Sequence, residues 1–219
     1  MSRKQSHTAL VIAVDGPAAS GKGTIAKALA AHFGLPHMDT GLLYRAVALN
    51  LWRWGGDPAN EFEAMRACQD LQLVGPDDPE LRSEAVSKIA SAISAYPGVR
   101  AALLNRQQAF AAQAGGAVLD GRDIGTVIAP RADIKLFVTA TAEVRADRRL
   151  KELEQRGMPA HFAEVLADIQ ARDERDSNRD VAPLAQAPDA ILLDTSALDR
   201  DAAIAAALRL VEGALAEAQ

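Results

Sequence analysis

Cysteine is almost missing from this chain: Cys68 is the only one in 219 residues. An intramolecular disulfide and a cysteine-built zinc cluster are therefore excluded, and Cys68 reads as a small packing residue. Histidine is scarce as well. His7, His32, His37 and His161 are scattered without metal-ligand spacing and read as surface or capping residues. There is no excess of base, since 24 Lys and Arg face 29 Asp and Glu for a net charge of −5. That balance argues against a nucleic-acid partner. No apolar run is long enough to span a bilayer, and the basic start MSRKQ leads into a short apolar stretch without a small-residue cleavage site. No membrane partner and a cytoplasmic location are expected. Repeats and low-complexity tracts are absent too. What remains, 49% apolar and 24% charged residues, describes a globular chain. Its length suits one large domain over residues 1–219 that carries a small insert.

Five short apolar runs read as buried strands: residues 10–14, 36–38, 117–119, 134–138 and 191–193. Longer stretches with helical spacing lie between them, as at Ile25, Leu29 and Ala30. Apolar strands alternating with helices predict an α/β fold, a five-stranded parallel sheet with helices on both faces. Two breaker clusters, Gly55-Gly56-Asp57-Pro58 and Gly75-Pro76-Asp77-Asp78-Pro79, frame a strandless interval. Residues 56–87 are expected to form a small inserted subdomain, with Trp52 and Trp54 packing it. Residues 199–218, rich in alanine, read as a closing helix.

The first strand runs into Gly16-Pro17-Ala18-Ala19-Ser20-Gly21-Lys22-Gly23-Thr24 and then a helical pattern. This is G-x-x-x-x-G-K in its strand–loop–helix setting. The backbone can curl its N–H groups around phosphate oxygens, with Lys22 and the helix N-terminus adding positive charge. Gly23-Thr24 replaces the usual Ser or Thr after the lysine, a G-K-G-T variant found in nucleoside monophosphate kinases. The N-K-x-D base motif of GTPases is absent. A kinase acting on a hydroxyl would need a carboxylate to receive the proton, and Asp15 or Asp39 could serve.

Three further clusters carry chemistry. Asp39-Thr40-Gly41, with Tyr44 and Arg45, follows the second strand, where ligand sites of parallel sheets lie. Asp39 or Thr40 could equally cap a helix there. Asp120-Gly121-Arg122-Asp123-Ile124-Gly125 follows the third strand. Arg122 suits a phosphate and Asp123 a donor on a base, while Asp120 could hold magnesium through water or orient the loop. In the run from Arg172 to Asp180, a helix would place Arg172, Arg175 and Arg179 on one face beside Asp176. A salt-bridged surface face would use lysine as readily, whereas planar arginines suit phosphate. Arg145, Arg148 and Arg149 form a third group able to close over a nucleotide, a lid-like segment at residues 145–157.

Together G-P-A-A-S-G-K-G-T, M-D-T-G-x-x-Y-R, L-D-G-R-D-I-G-T-V and R-D-E-R-D-S-N-R resemble the bacterial cytidylate kinases over residues 9–194. The resemblance implies phosphoryl transfer from ATP, carried with Mg²⁺, to CMP or dCMP. Gly16 through Thr24 would bind the ATP phosphates, with Thr24 reaching the metal directly or through water. Ser91, Arg100 and Asp123 would read the cytosine. Arg45 and Arg122 would hold the acceptor phosphate, with Thr40 close by. Arg172, Asp176 and Arg179 would surround the sugar. Lys22, Arg122 and Arg179 would be catalytic, and a monomer would suffice. The insert is shorter than in most relatives, abbreviated over residues 71–83. Adenylate or uridylate kinase activity on the same scaffold is the enzyme alternative, although adenylate kinases usually carry D-G-F-P-R where this chain has D-G-R-D-I-G. A non-catalytic ATP-binding switch is the alternative from another class.

Overall fold

The computed structural model describes residues 9–69, 71 and 78–217. Strands β1 (Leu10–Asp15), β3 (Gly116–Gly121), β4 (Ile134–Thr139) and β5 (Ile191–Asp194) contain the runs expected of them, and β2 (His37–Asp39) starts one residue later than expected, after Pro36. They pair in parallel in the order β2-β3-β1-β4-β5. The period of two in a strand sends successive side chains to opposite faces. Ile12 and Val14 of β1, Val118 of β3, and Leu136 and Val138 of β4 pack against Ile25, Leu29, Ala203 and Ala207 of two helices. Those helices are α1 (Lys22–Phe33) and, at the end of the chain, Arg200–Glu217. Ala13, Ala117 and Leu119 point the other way and meet Ile124, Ile128 and Ala111. Burial on both faces explains why the central strands β1 and β3 do not alternate apolar with polar.

Between β2 and β3 the regular elements among the described residues are all helical: α2 (Thr40–Arg53), α3 (Glu61–Ala67), a 3-10 turn at Pro79–Arg82, α4 (Glu84–Ile93) and α5 (Pro97–Ala111). These pieces share a core of their own that includes Val47, Leu49, Leu51, Val86, Ile93 and Leu103, so the packed unit extends beyond residues 56–87 on both sides. Local signals set its boundaries. Asn60 accepts from the N–H groups of Phe62 and Glu63, and Ser83 accepts from that of Val86, each capping the helix it precedes. Trp52 and Trp54 stay 46% and 43% exposed, and Arg66 of α3 lies over the Trp54 ring at 4.9 Å. Part of the second breaker cluster, Gly75-Pro76-Asp77, lies outside the described residues.

After β4 come α6 (Ala142–Gln155) and α7 (Phe162–Asn178), joined by Leu153, Val165 and Ile169. The chain closes with α8 (Arg200–Glu217). One expectation fails here. α7 carries Arg172 and Arg175 but ends at Asn178, and Arg179 is extended, at φ −68° and ψ 142°. Its Nε donates to the carbonyl of Ala182 at 2.6 Å, a bond that a continuing helix would not allow. Arg179 therefore reaches its partners from a turn rather than from the helix face.

Candidate active site

The phosphate loop joins the carboxyl end of β1 to α1. Gly16 has no alternative at its position: at φ 154°, an added Cβ would lie 2.0 Å from the Val138 carbonyl oxygen. Gly21 takes the left-handed conformation, φ 88°, immediately before α1. The loop is clamped from outside by Arg145 and Arg148 together with Thr195 and Asp173, two residues that sequence reasoning passed over. Thr195, just past β5, bonds the Ser20 carbonyl through its hydroxyl at 3.1 Å. Arg148 donates to the Thr195 hydroxyl at 3.0 Å and carbonyl at 2.7 Å. Arg145 donates to the Ala18 carbonyl at 3.3 Å and grips Asp173 with two bonds of 2.9 and 2.6 Å. Arg145 and Arg148 of the lid-like segment thus brace the loop, while Arg149 pairs with Glu84 and Glu152.

Beside the loop, a cavity of about 230 Å³ is lined by Lys22, Thr40, Arg45, Arg100, Arg122, Asp123, Arg172, Asp176 and Arg179. Eight of the expected nucleotide-site residues from the second strand onward so meet in one place with Lys22. They come from α2, α5, the loop after β3, α7 and its exit turn. Ser91 does not line it. Its hydroxyl accepts from Arg175 at 3.4 Å in an adjoining cavity of about 530 Å³, which shares Ala18, Ala19, Arg45 and Arg172 with the first.

Within the smaller cavity the charges interlock. Arg100 pairs with Asp123 and lies over the Tyr44 ring at 5.8 Å. Arg122 Nε donates to Asp176 Oδ2 at 2.8 Å. Arg45 donates to the Leu81 carbonyl and to Ser87, each at 2.9 Å. Thr40 donates to the Asp120 carbonyl at 2.8 Å. His37 is half-buried with Nε2 2.7 Å from Asp120 Oδ1, so it is a partner of the site and not a surface residue. Parallel pairing of β2 with β3, which sets Asp39 opposite Asp120, brings the two together.

Cations outnumber what the protein itself can neutralise. Burial and the neighbouring Arg122 pull Lys22 down to about 7. Burial and Arg122 also lower Arg172, to about 10. Burial lowers Arg179, and Arg100 adds to the effect. Burial pulls Asp176 upward, but Arg122 and Arg172 outweigh it and hold its carboxyl below the usual range. Most telling, Arg172 Nε and Arg179 Nη2 are buried with no hydrogen-bond partner. Buried guanidinium N–H groups without acceptors are costly, and a phosphate or sugar oxygen supplies the missing acceptor.

Asp15 is placed away from this chemistry. It is 5% exposed, its two oxygens accept from the backbone N–H groups of Ile124 and Gly125, and burial pushes its carboxyl up to about 6. Buried and absent from the lining of either cavity, it is not placed to receive a proton from a substrate hydroxyl. Cys68 behaves as a packing residue, its thiol pushed up to about 11 by burial.

Comparison with known proteins agrees with this geometry. A family model described as Cytidylate kinase matches residues 12–213. A cytidylate kinase of Rhodopseudomonas palustris strain TIE-1 is 56% identical over 203 residues, spanning 93% of this chain and 96% of that protein. One from Xanthobacter autotrophicus strain Py2 is 58% identical over 203 residues, spanning 93% and 97%. Among solved structures, an uncharacterized protein from Eubacterium ventriosum shares the fold at a TM-score of 0.56 and 15% identity, over 93% of this chain and 98% of that one. The match over nearly the whole length places the chain in the cytidylate kinase family.

Proposed function

We propose that the chain transfers the γ-phosphoryl group of ATP to CMP or dCMP, giving ADP and the corresponding diphosphate. The observation that carries this reading is the pair of buried guanidinium donors that make no hydrogen bond, Arg172 Nε and Arg179 Nη2, in a cavity that also holds Lys22 of the phosphate loop. Backbone N–H groups from Gly16 to Gly23, Lys22 and the start of α1 take the ATP phosphates. Arg45, Arg122 and Arg179 hold the acceptor phosphate, with Thr40 at its edge, and Arg172 and Asp176 hold the sugar. Arg100 and Asp123 take the base, with Ser91 approaching from the adjoining cavity. Cytosine offers an amine donor beside ring acceptors, which a carboxylate and an arginine complement. Uracil would set O4 against the carboxylate, and unpaired buried groups discriminate strongly.

The acceptor phosphate is already ionised at neutral pH, so no general base is needed. The protein's own residues do two things: they align the two phosphates, and they cancel repulsion between them. This accounts for so many arginines in a chain of net charge −5. Magnesium fits the site as an ion carried by the nucleotide. Among the described residues no three His, Cys, Asp or Glu converge on a metal position, and Mg²⁺ bound with phosphates needs only one or two protein oxygens. Thr24, exposed at the start of α1, and Asp120, whose Oδ2 faces Gly23, would hold it directly or through water. When bound, the metal withdraws charge from the transferring group. α7 and the helical unit around α4 border both cavities and α6 borders the larger one, and their approach would exclude water. A monomer working in the cytoplasm suits this reading, and among the described residues no helix is long and apolar enough to cross a membrane.

ADP release measured with Mg-ATP against CMP, dCMP, UMP and AMP in parallel tests the proposal. Turnover on CMP and dCMP with little on UMP or AMP is expected. Preference for AMP or UMP would replace the acceptor, and no turnover on any of the four would favour an ATP-binding switch.

A further inference from the structure

Asp15 is the last residue of β1 and stands directly ahead of the phosphate loop, yet nothing in the transfer chemistry uses it. Its Oδ1 accepts from Ile124 N–H at 2.8 Å and its Oδ2 from Gly125 N–H at 2.7 Å. These two N–H groups open the short π-helical turn Ile124–Ile128, and like any first N–H groups of a helix they have no acceptor within it. The residue placed to cap the turn is Asp123, and its side chain makes no such bond. The Asp123 carboxylate instead faces Arg100 and Arg179 in the cavity. A residue more than 100 positions earlier in the chain, brought alongside by the pairing of β1 with β3, does the capping in its place.

We infer that Asp15 is a positioning residue for acceptor specificity: it caps the turn after β3 from across the sheet and so leaves Asp123 free to read the base. The inference rests on the assignment of Asp123 to the base. A carboxylate is required because its two oxygens meet two separate N–H groups. Asparagine would keep one acceptor and turn an NH₂ group toward the other N–H, inviting Asp123 to take over the cap. The fit is close, since a Cβ on Gly125 would come within 3.4 Å of Asp15 Oδ2 and 3.0 Å of the Lys135 side chain. Because Asp15 also adjoins Gly16, the same residue fixes the distance between the phosphate loop and the base-reading turn.

A double-variant cycle tests this. Asp15→Asn, Asp123→Asn, the double variant and the unaltered protein are assayed for kcat and KM with ATP, CMP and UMP. Asp15→Asn is expected to cut the CMP-over-UMP preference by ~10-fold or more, chiefly through KM for CMP, with KM for ATP within ~3-fold. In the Asp123→Asn background it should change that preference no further, because both act through one carboxylate. Additive losses, or an unchanged preference with weakened ATP binding, overturn the inference. If the unaltered protein prefers another acceptor, the CMP assignment fails, and the cycle is read on the preferred acceptor against the next best. If Asp15→Asn does not fold, amide exchange in the unaltered protein decides. CMP should slow exchange at Ile124 and Gly125 by ~10-fold more than UMP does at equal saturation, and equal protection by the two nucleotides overturns the inference.

Discussion

Arg122 Nε donates to Asp176 Oδ2 at 2.8 Å, joining a loop after β3 to α7 across 54 residues. One partner is assigned to the acceptor phosphate and the other to the sugar, so without nucleotide each satisfies the other. Arg122→Ala should lower kcat by ~100-fold or more, as expected when a buried charge-assisted donor to a transferring phosphate is lost. It also leaves Asp176 with only the longer ion pair to Arg172 Nε, at 3.9 Å. Thermal unfolding should remain cooperative. Unchanged turnover in a folded variant would remove Arg122 from the site.

Lys22 makes ATP binding depend on pH. Its pKa of about 7 lies below the ordinary lysine value because burial and Arg122 disfavour its charge. Between about 7 and the unfolded-state value, the unfolded chain binds more protons than the folded one, so the nucleotide-free protein gains stability as pH rises through that window. A bound triphosphate favours the charged amine and reverses the shift. Titration calorimetry near pH ~8, in buffers of different ionisation enthalpy, should show uptake of up to ~1 proton per ATP, and ATP affinity should weaken as pH rises. Lys22→Ala should abolish the uptake and most turnover while the fold persists. Identical heats in every buffer would contradict the assignment.

Thr195 is 1% exposed and its hydroxyl links Ser20 and Thr139 carbonyls to Arg148. Thr195→Val keeps the shape and removes the bonds. The expected cost is ~1–3 kcal/mol in denaturant unfolding, together with a higher KM for ATP and an unchanged KM for CMP. An effect confined to stability would make Thr195 purely architectural.

Gly16→Ala drives a methyl group to 2.0 Å from the Val138 carbonyl oxygen, which is central sheet backbone and cannot yield. Loss of ~4 kcal/mol or more, or failure to fold, is expected from thermal unfolding. A stable, active variant would show that the loop leaves β1 along another path.

The central strands β1 and β3 were legible because they are buried on both faces and read as apolar runs closed by an acidic or turn residue, while β4 and β5 kept enough β-branched and leucine content to show despite Lys135 and the exposed Leu192. The phosphate loop was legible for a similar reason: its chemistry is local, and nine consecutive residues contain it. The residues that support the site left no such trace. Thr195 and Asp173 are ordinary in their own neighbourhoods, and nothing near His37 in sequence announces Asp120, 83 residues away. Arg179 was misplaced because periodicity continues a helix until something stops it, and what stops this one is a bond to Ala182 in the turn beyond.

The chain by itself therefore determined the sheet, the phosphate loop and the kinds of side chain available for nucleotide chemistry, since those depend on local backbone preference and on burial. Tertiary structure decided which carboxylate each arginine meets and which donors are left open. It set Asp15 under the turn that holds Asp123 and gave His37 to Asp120. Such pairings depend on strand order and helix packing, which bring residues together over distances that no local pattern records.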